Sequence, residues 1–275
     1  MILVSGATGN VGGELVRALA SRGEPVRALT RSGRGDGFPP GVEAARGDLN
    51  DPAGMGPALA GASGLFLLPG YEDMPGLLEE AGRAGIQAVA LLSGMSADGD
   101  MDNAITRYMA ESERAVRASG IAWTILRPAM FMTNAFQWIP QLQAGDVVRA
   151  PFAAVRAAVI DPADIAAVAA LALTAPGHAE RVYKLSGPEA LTAAERVAIL
   201  GRVLHRDLSF EAQPDDEARA EMSETTPPPY VDAFFRFYAD GTLDESQLLP
   251  TVRDLTGRPP GTFERWATAH YADFT

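Results

Sequence analysis

The chain of 275 residues contains no cysteine. That excludes disulfides, thiolate catalysis, cysteine-held zinc and iron–sulfur clusters. Its three histidines, His178, His205 and His270, lie far apart with no H-x-x-x-H spacing, so no metal site is expected. Lysine is almost missing. Of 23 basic residues only Lys184 is not an arginine, as a GC-rich coding bias would leave it. Any chemistry that needs an amine side chain must use that one position. Basic charge is short overall, with a net of −12, and residues 211–250 carry ten acids against two arginines. No basic footprint for nucleic acid is present, so no such partner is expected. No apolar run reaches the roughly 18 residues that a membrane span requires. The opening MILVSGATG lacks the positive start and longer apolar stretch of a signal peptide, so a cytoplasmic protein is expected.

What is present supports a large core: 47% of residues are apolar and only 21% are charged. Short apolar runs at Ile2–Ser5, Pro25–Thr30, Val42–Arg46, Gly64–Leu68, Gln87–Ser93 and Thr124–Arg127 read as strands. Between them, Gly12–Arg22, Asp51–Leu59, Pro75–Ala84 and Asn103–Ser119 read as helices. Strands that alternate with helices and are apolar throughout predict a parallel, doubly wound α/β sheet covered on both faces. After Pro128 the rhythm changes. Val155–Ile160 and Val182–Ser186 read as strands, and Asp164–Ala175, Thr192–Leu204 and Pro214–Thr226 as helices. This second part reads as a smaller α/β lobe over the C-terminal edge of the sheet.

Residues 6–12, Gly6-Ala7-Thr8-Gly9-Asn10-Val11-Gly12, follow a strand and open a helix. That context suits a phosphate loop. Gly6 permits the tight turn, Gly9 lets backbone approach a pyrophosphate, and Gly12 lets helix pack on sheet. Backbone N–H groups at the helix start, from Thr8 to Val11, would face the anion. The bland alternative is an ordinary Gly-rich turn.

The loop GATGNVGGELVRAL, with VRALTRS, GVEAARGDLNDP, TILRPAMFMTN, VIDPADIAAVAALAL, KLSGPEALTAAE and LTGRPPGTFERWA in order, resembles the NmrA-like branch of atypical short-chain dehydrogenase/reductases. The resemblance spans nearly the whole chain. It implies a Rossmann fold binding a nicotinamide dinucleotide through residues 1–130, with 131–275 mainly a substrate lobe and strands such as 182–187 able to return to the sheet. It also implies NADP(H). Where an acid would select NAD, this chain has Thr30-Arg31-Ser32-Gly33-Arg34, and Arg31 matches the family's arginine for the 2′-phosphate. Asp48-Leu49 resembles the pair framing the adenine. Leu68-Pro69 and Ser93 end strands near the ribose and nicotinamide.

The usual proton donor of the wider family is a tyrosine with a lysine four residues later. None of the six tyrosines here has that lysine. Reductases of this branch often carry a lysine four residues before the glutamate of E-x-x-x-x-x-S-G; counting back from Glu113 gives Met109. The catalytic acid is therefore unassigned, with Tyr71 and Tyr108 as weak candidates. Asp161 and Asp164 read as helix caps, and His205 as a surface residue. Phe131, Met132, Phe136 and Trp138 are read either as core between lobes or as the wall of an apolar pocket, with Phe234, Phe235, Phe237 and Tyr238 opposite.

The expectation is an NADPH-dependent reductase of a small hydrophobic, quinone- or enone-like substrate, acting as monomer or homodimer. The alternatives are an NADP-binding redox-sensing regulator without catalysis, and a non-redox epimerase- or cyclase-like enzyme.

Overall fold

The computed structural model describes all of residues 1–275. Nine strands are formed: β1 (Ile2–Val4), β2 (Val26–Thr30), β3 (Glu43–Arg46), β4 (Gly64–Leu67), β5 (Ala88–Leu92), β6 (Ala122–Pro128), β7 (Val147–Ala150), β8 (Arg181–Leu185) and β9 (Ser209–Ala212). Seven make one wholly parallel sheet in the order β3-β2-β1-β4-β5-β6-β8. The order reverses beside β1, which leaves a crevice at the C-terminal ends of β1 and β4.

The helices are α1 (Asn10–Ser21), α2 (Gly56–Leu59), α3 (Met74–Arg83), α4 (Ala104–Ala118), α5 (Ile139–Ala144), α6 (Pro162–Thr174), α7 (Ala193–Leu204), α8 (Asp215–Thr225), α9 (Pro228–Tyr238), α10 (Thr251–Thr256) and α11 (Phe263–Ala269). Alternate strand residues enter opposite cores. Ile2 and Val4 of β1 and Phe66 of β4 join the core under α1 and α6. Leu3, Leu65 and Leu67 join the core under α3 and α4. Both faces are buried, so the central strands are apolar throughout. The edges differ: β3 reads Glu-Ala-Ala-Arg and is half exposed, because only one side of it is paired.

Arg27 shows how a charge is accommodated in β2. It is buried, yet it donates to the carbonyls of Ala58 and Ala60 at 2.8 and 2.7 Å and to Glu43 at 3.1 Å. It thereby caps the carbonyl end of α2.

A third core joins Met132, Trp138, Val148, Val197, Leu200 and Trp266 from the later part of the chain. Two expectations are corrected. Val155–Ile160 is not a strand; only isolated bridges form, Ala157 to Leu191 and Ile160 to Phe131. The true strands of this region are β7 and β9, a two-stranded parallel ribbon. Phe152 explains the shift, since its backbone turns into the left-handed region (φ 57°) between β7 and residue 155. Asp51–Leu59 is also no continuous helix. Pro52–Met55 makes a tight 3₁₀ turn before the short α2, as Gly54, Gly56 and Pro57 would impose. The aromatic-rich stretch after Thr226 is helix α9, which starts at Pro228 because proline suits the first helical turn.

Candidate active site

The loop between β1 and α1 is built by its glycines. Gly6 takes φ +58°, a conformation that side chains resist, and its carbonyl accepts from Gly9 N at 2.8 Å. A Cβ on Gly12 would lie 2.2 Å from the Gly6 oxygen, so no other residue fits there. Gly9 caps α1 without a side chain, and the first turn carries no acid. Thr8, Gly9 and Asn10 are exposed, and Val11 is buried beneath them. An uncapped helix start beside exposed backbone is a site for an anion. The loop therefore fits a dinucleotide pyrophosphate. Thr8, Gly9 and Asn10 also line a polar cleft on the α1 flank, whose far parts suit phosphate less well because Glu14, Asp36, Asp161 and Asp273 line it and Arg17 is paired with Glu14.

The other sequence-predicted residues fall at neighbouring strand ends. Arg31, one residue beyond β2, is exposed and makes no ion pair, as is Arg34. Arg46 ends the adjacent β3, and a Cβ on Gly33 would touch its Cβ at 3.0 Å. Three arginines thus stem from this corner, and Arg46 was not anticipated. Parallel pairing of β2 with β3 is what brings it there. Asp48 is exposed with Oδ1 accepting from Asn50 N at 3.0 Å, while Leu49 is core. Leu68 abuts Gly6, its Cδ1 lying 2.8 Å from where a Gly6 Cβ would be. Pro69 is half-buried beside it.

Ser93, at the end of β5, is buried and already engaged. Its hydroxyl donates to Glu113 Oε1 at 2.7 Å, and Arg127 grips both Glu113 oxygens, each at 2.7 Å. Arg127 also bonds Asp98, and Lys184 Nζ lies 3.1 Å from the other Asp98 oxygen. Burial opposes the Glu113 charge, but Arg127, Ser93 and Arg117 together hold its pKa below the usual carboxylate value. The single lysine is therefore part of a brace between β6, β8 and α4.

Met109 lies beside Ser93 and Gly94, with Sδ 3.9 Å from Ser93 Oγ. The two tyrosine candidates, Tyr71 and Tyr108, line one cleft with Gly70 and Ser112. Tyr71 is half-buried against the α3 core, and burial raises its pKa, with the Asp48 charge adding to the effect. Tyr108 packs beside Gly70 and edge-on to Tyr230 of α9, at 6.4 Å. Burial raises its pKa too. Asp161 caps α6 by accepting from Ala163 N at 2.9 Å. Asp164, by contrast, is not a cap: it accepts from Gly261 N and Arg258, both at 2.7 Å.

The aromatic and Met cluster does not form one wall. Phe131 packs on the sheet core, and Met132 is wholly buried in the third core. Phe136 faces the α1-side cleft against Trp266, His270 and Phe274. Only Trp138, itself almost fully buried, borders a second, mainly apolar cavity of about 480 Å³. The 3₁₀ turn of Met132–Trp138 causes this split, because its three-residue period sends successive rings to different sides.

That cavity lies between the segment after β6, the ribbon, α7 and α9. Met130, Phe152, Val155, Phe234 and Tyr238 line it with Trp138. Phe152 is held in its left-handed turn by Phe235 and Tyr238, at ring distances of 5.1 and 5.4 Å. Tyr238 was anticipated in this wall, but two polar groups beside it, Glu245 and Arg196, were missed. Tyr238 donates to Glu245 at 2.9 Å. Burial, with the Glu245 charge, pushes Tyr238 well above 10, and burial pushes Glu245 up to about 7. Arg196 lines the same cavity and is 6% exposed. A helical signal for it existed: Arg196 shares a face of α7 with Ala193 and Leu200, where a charge is out of place.

The NmrA-like family matches residues 1–244. Over 284 residues the chain is 41% identical to (4-alkanoyl-5-oxo-2,5-dihydrofuran-3-yl)methyl phosphate reductase of Streptomyces griseus, covering 100% of this chain and 99% of that one. It is 35% identical over 283 residues to NAD(P)H azoreductase of Xenophilus azovorans, at the same coverage. The fold also matches an NADPH-dependent quinone oxidoreductase of Escherichia coli solved with NADPH. The TM-score is 0.78 at 23% identity, over 98% of this chain and 100% of that one.

Proposed function

The chain belongs to the NmrA-like family, and from that premise we propose that it uses NADPH to reduce a flat, hydrophobic acceptor of the quinone or enone type, seated in the cavity under α9. At the coarser level, the protein is an NAD(P)H-dependent oxidoreductase. The relatives named as azoreductase and quinone oxidoreductase support a conjugated acceptor. No helix is long and apolar enough to cross a membrane, and a cytoplasmic place is part of this reading.

When bound, the nicotinamide supplies a hydride. The Gly6–Gly12 loop would hold the pyrophosphate, and Arg31, with Arg34 and Arg46 beside it, the 2′-phosphate. The observation that carries the substrate class is Met109. A thioether stands beside Ser93 and Gly94, where reductases of this branch often carry a lysine. A substrate whose reduced oxygen is a good anion does not need strong acid assistance there.

The proton has a candidate holder in the cavity. Tyr238 stays protonated across the neutral range, and Glu245 behind it exchanges a proton near pH 7. The pair can pass a proton to an oxygen that reaches the phenol and refill it from Glu245. The test is NADPH oxidation, followed at the nicotinamide absorbance, with a panel of quinones, enones and azo dyes. Turnover with conjugated acceptors is expected. Tight NADPH binding without turnover of any acceptor would overturn the reading in favour of a regulator.

A further inference from the structure

The three buried arginines have very different surroundings. Arg27 and Arg127 are each paired with a carboxylate, Glu43 and Glu113, although Arg27 Nε is itself without a partner. Arg196 differs. Its one hydrogen bond runs from Nε to the Thr192 carbonyl at 3.4 Å, and Nη1 is buried with no partner at all. No carboxylate pairs with it. Its guanidinium lies over the Trp138 ring at 5.2 Å, a contact that steers the group without neutralising it. The acid behind Tyr238, Glu245, is engaged by that phenol and is only about half ionised at pH 7. Burial lowers the Arg196 pKa only to about 10, so the group keeps its charge at pH 7.

A desolvated cation without a counter-ion is unfavourable unless something completes it. The open space it borders is the mainly apolar cavity of about 480 Å³. We propose that Arg196 anchors an anionic group, a phosphate monoester or a carboxylate, carried by an otherwise hydrophobic substrate. Planar guanidinium donors suit either oxyanion, and since Nη1 is sealed the anion would be met by Nη2, which makes no hydrogen bond in the structure. The aromatic walls would take the apolar body. This inference rests on reading the cavity as the substrate pocket.

The test is calorimetric titration of the protein saturated with NADP⁺, which keeps the phosphate loop filled. The ligands are phenyl phosphate, benzoate and phenol. Wild type is expected to bind at least one anion about tenfold or more tighter than phenol, and Arg196→Gln to bring that preference close to one. Phenyl phosphate ahead of benzoate assigns a phosphate ester, and the reverse a carboxylate. Anions that bind no tighter than phenol to wild type overturn the proposal, and that comparison needs no variant. So does an Arg196→Gln protein that keeps the anion preference. The reductase reading is tested separately with a naphthoquinone and its sulfonate. If neither is reduced while Arg196-dependent anion binding holds, the reductase reading falls and the anchor stands. If both are reduced with no anion preference in binding, the anchor falls alone.

Discussion

At the scale of single residues, Gly12 and Arg31 carry the cofactor argument. A methyl group on Gly12 would sit 2.2 Å from the Gly6 oxygen, far inside contact, and the neighbour is backbone that cannot rotate away. Gly12→Ala is therefore expected to distort the loop and weaken NADPH binding by about tenfold or more, read by fluorescence titration. Arg31 has no partner to release, so Arg31→Glu acts mainly on the ligand. It is expected to weaken NADPH by about a hundredfold and NADH by far less, because only the former brings the phosphate. Equal losses for both cofactors would falsify the assignment of Arg31.

At the scale of elements, the brace of Ser93, Glu113, Arg127, Asp98 and Lys184 ties α4 to β5, β6 and β8. Its buried pair cannot be half removed. Glu113→Ala would leave the buried Arg127 with only the half-exposed Asp98 as partner and is expected to cost about 3 kcal/mol in urea unfolding. The double variant Glu113→Gln with Arg127→Met should recover much of that loss, since it removes both charges together. A double variant as unstable as the single would show that the pair itself, rather than the orphaned charge, holds these elements.

At the scale of the whole molecule, pH enters through Glu245. Its pKa is raised from about 4.5 to about 7 by burial. The native state therefore binds more protons than the unfolded chain between those values. The Glu245 contribution to stability is full below about pH 4.5 and is lost as pH rises through 7, the total being about 3 kcal/mol. Glu245→Gln is expected to flatten this part of the curve and to be the more stable protein at pH 8, as thermal unfolding at pH 6 and pH 8 would reveal. A wild-type curve that rises between those two values would contradict the buried, raised carboxyl.

The sheet and the anion loop were legible because their signals are local. An apolar run marks a strand buried on both faces, and Gly6, Gly9 and Gly12 mark a backbone with no room for side chains. The missing lysine partner of a tyrosine was equally plain from the sequence. The failures came where longer-range geometry decides. Val155–Ile160 has the composition of a strand, but the turn at Phe152 leaves it unpaired, and the weaker Val147–Ala150 and Ser209–Ala212 find each other across about 60 residues.

By itself, then, the sequence determined a doubly wound α/β chain with a phosphate loop, a basic corner after the second strand and no Tyr–Lys pair. Only the tertiary structure decided which aromatic residues face a cavity. It buried Met132, turned Phe136 towards the α1 side and left Trp138 at the edge of the apolar space. It also brought Arg196, Tyr238 and Glu245 together from three separate segments. Backbone propensity and periodicity act over a few residues and are written in the chain. The company a buried charge keeps depends on how distant elements pack, and no local pattern encodes that.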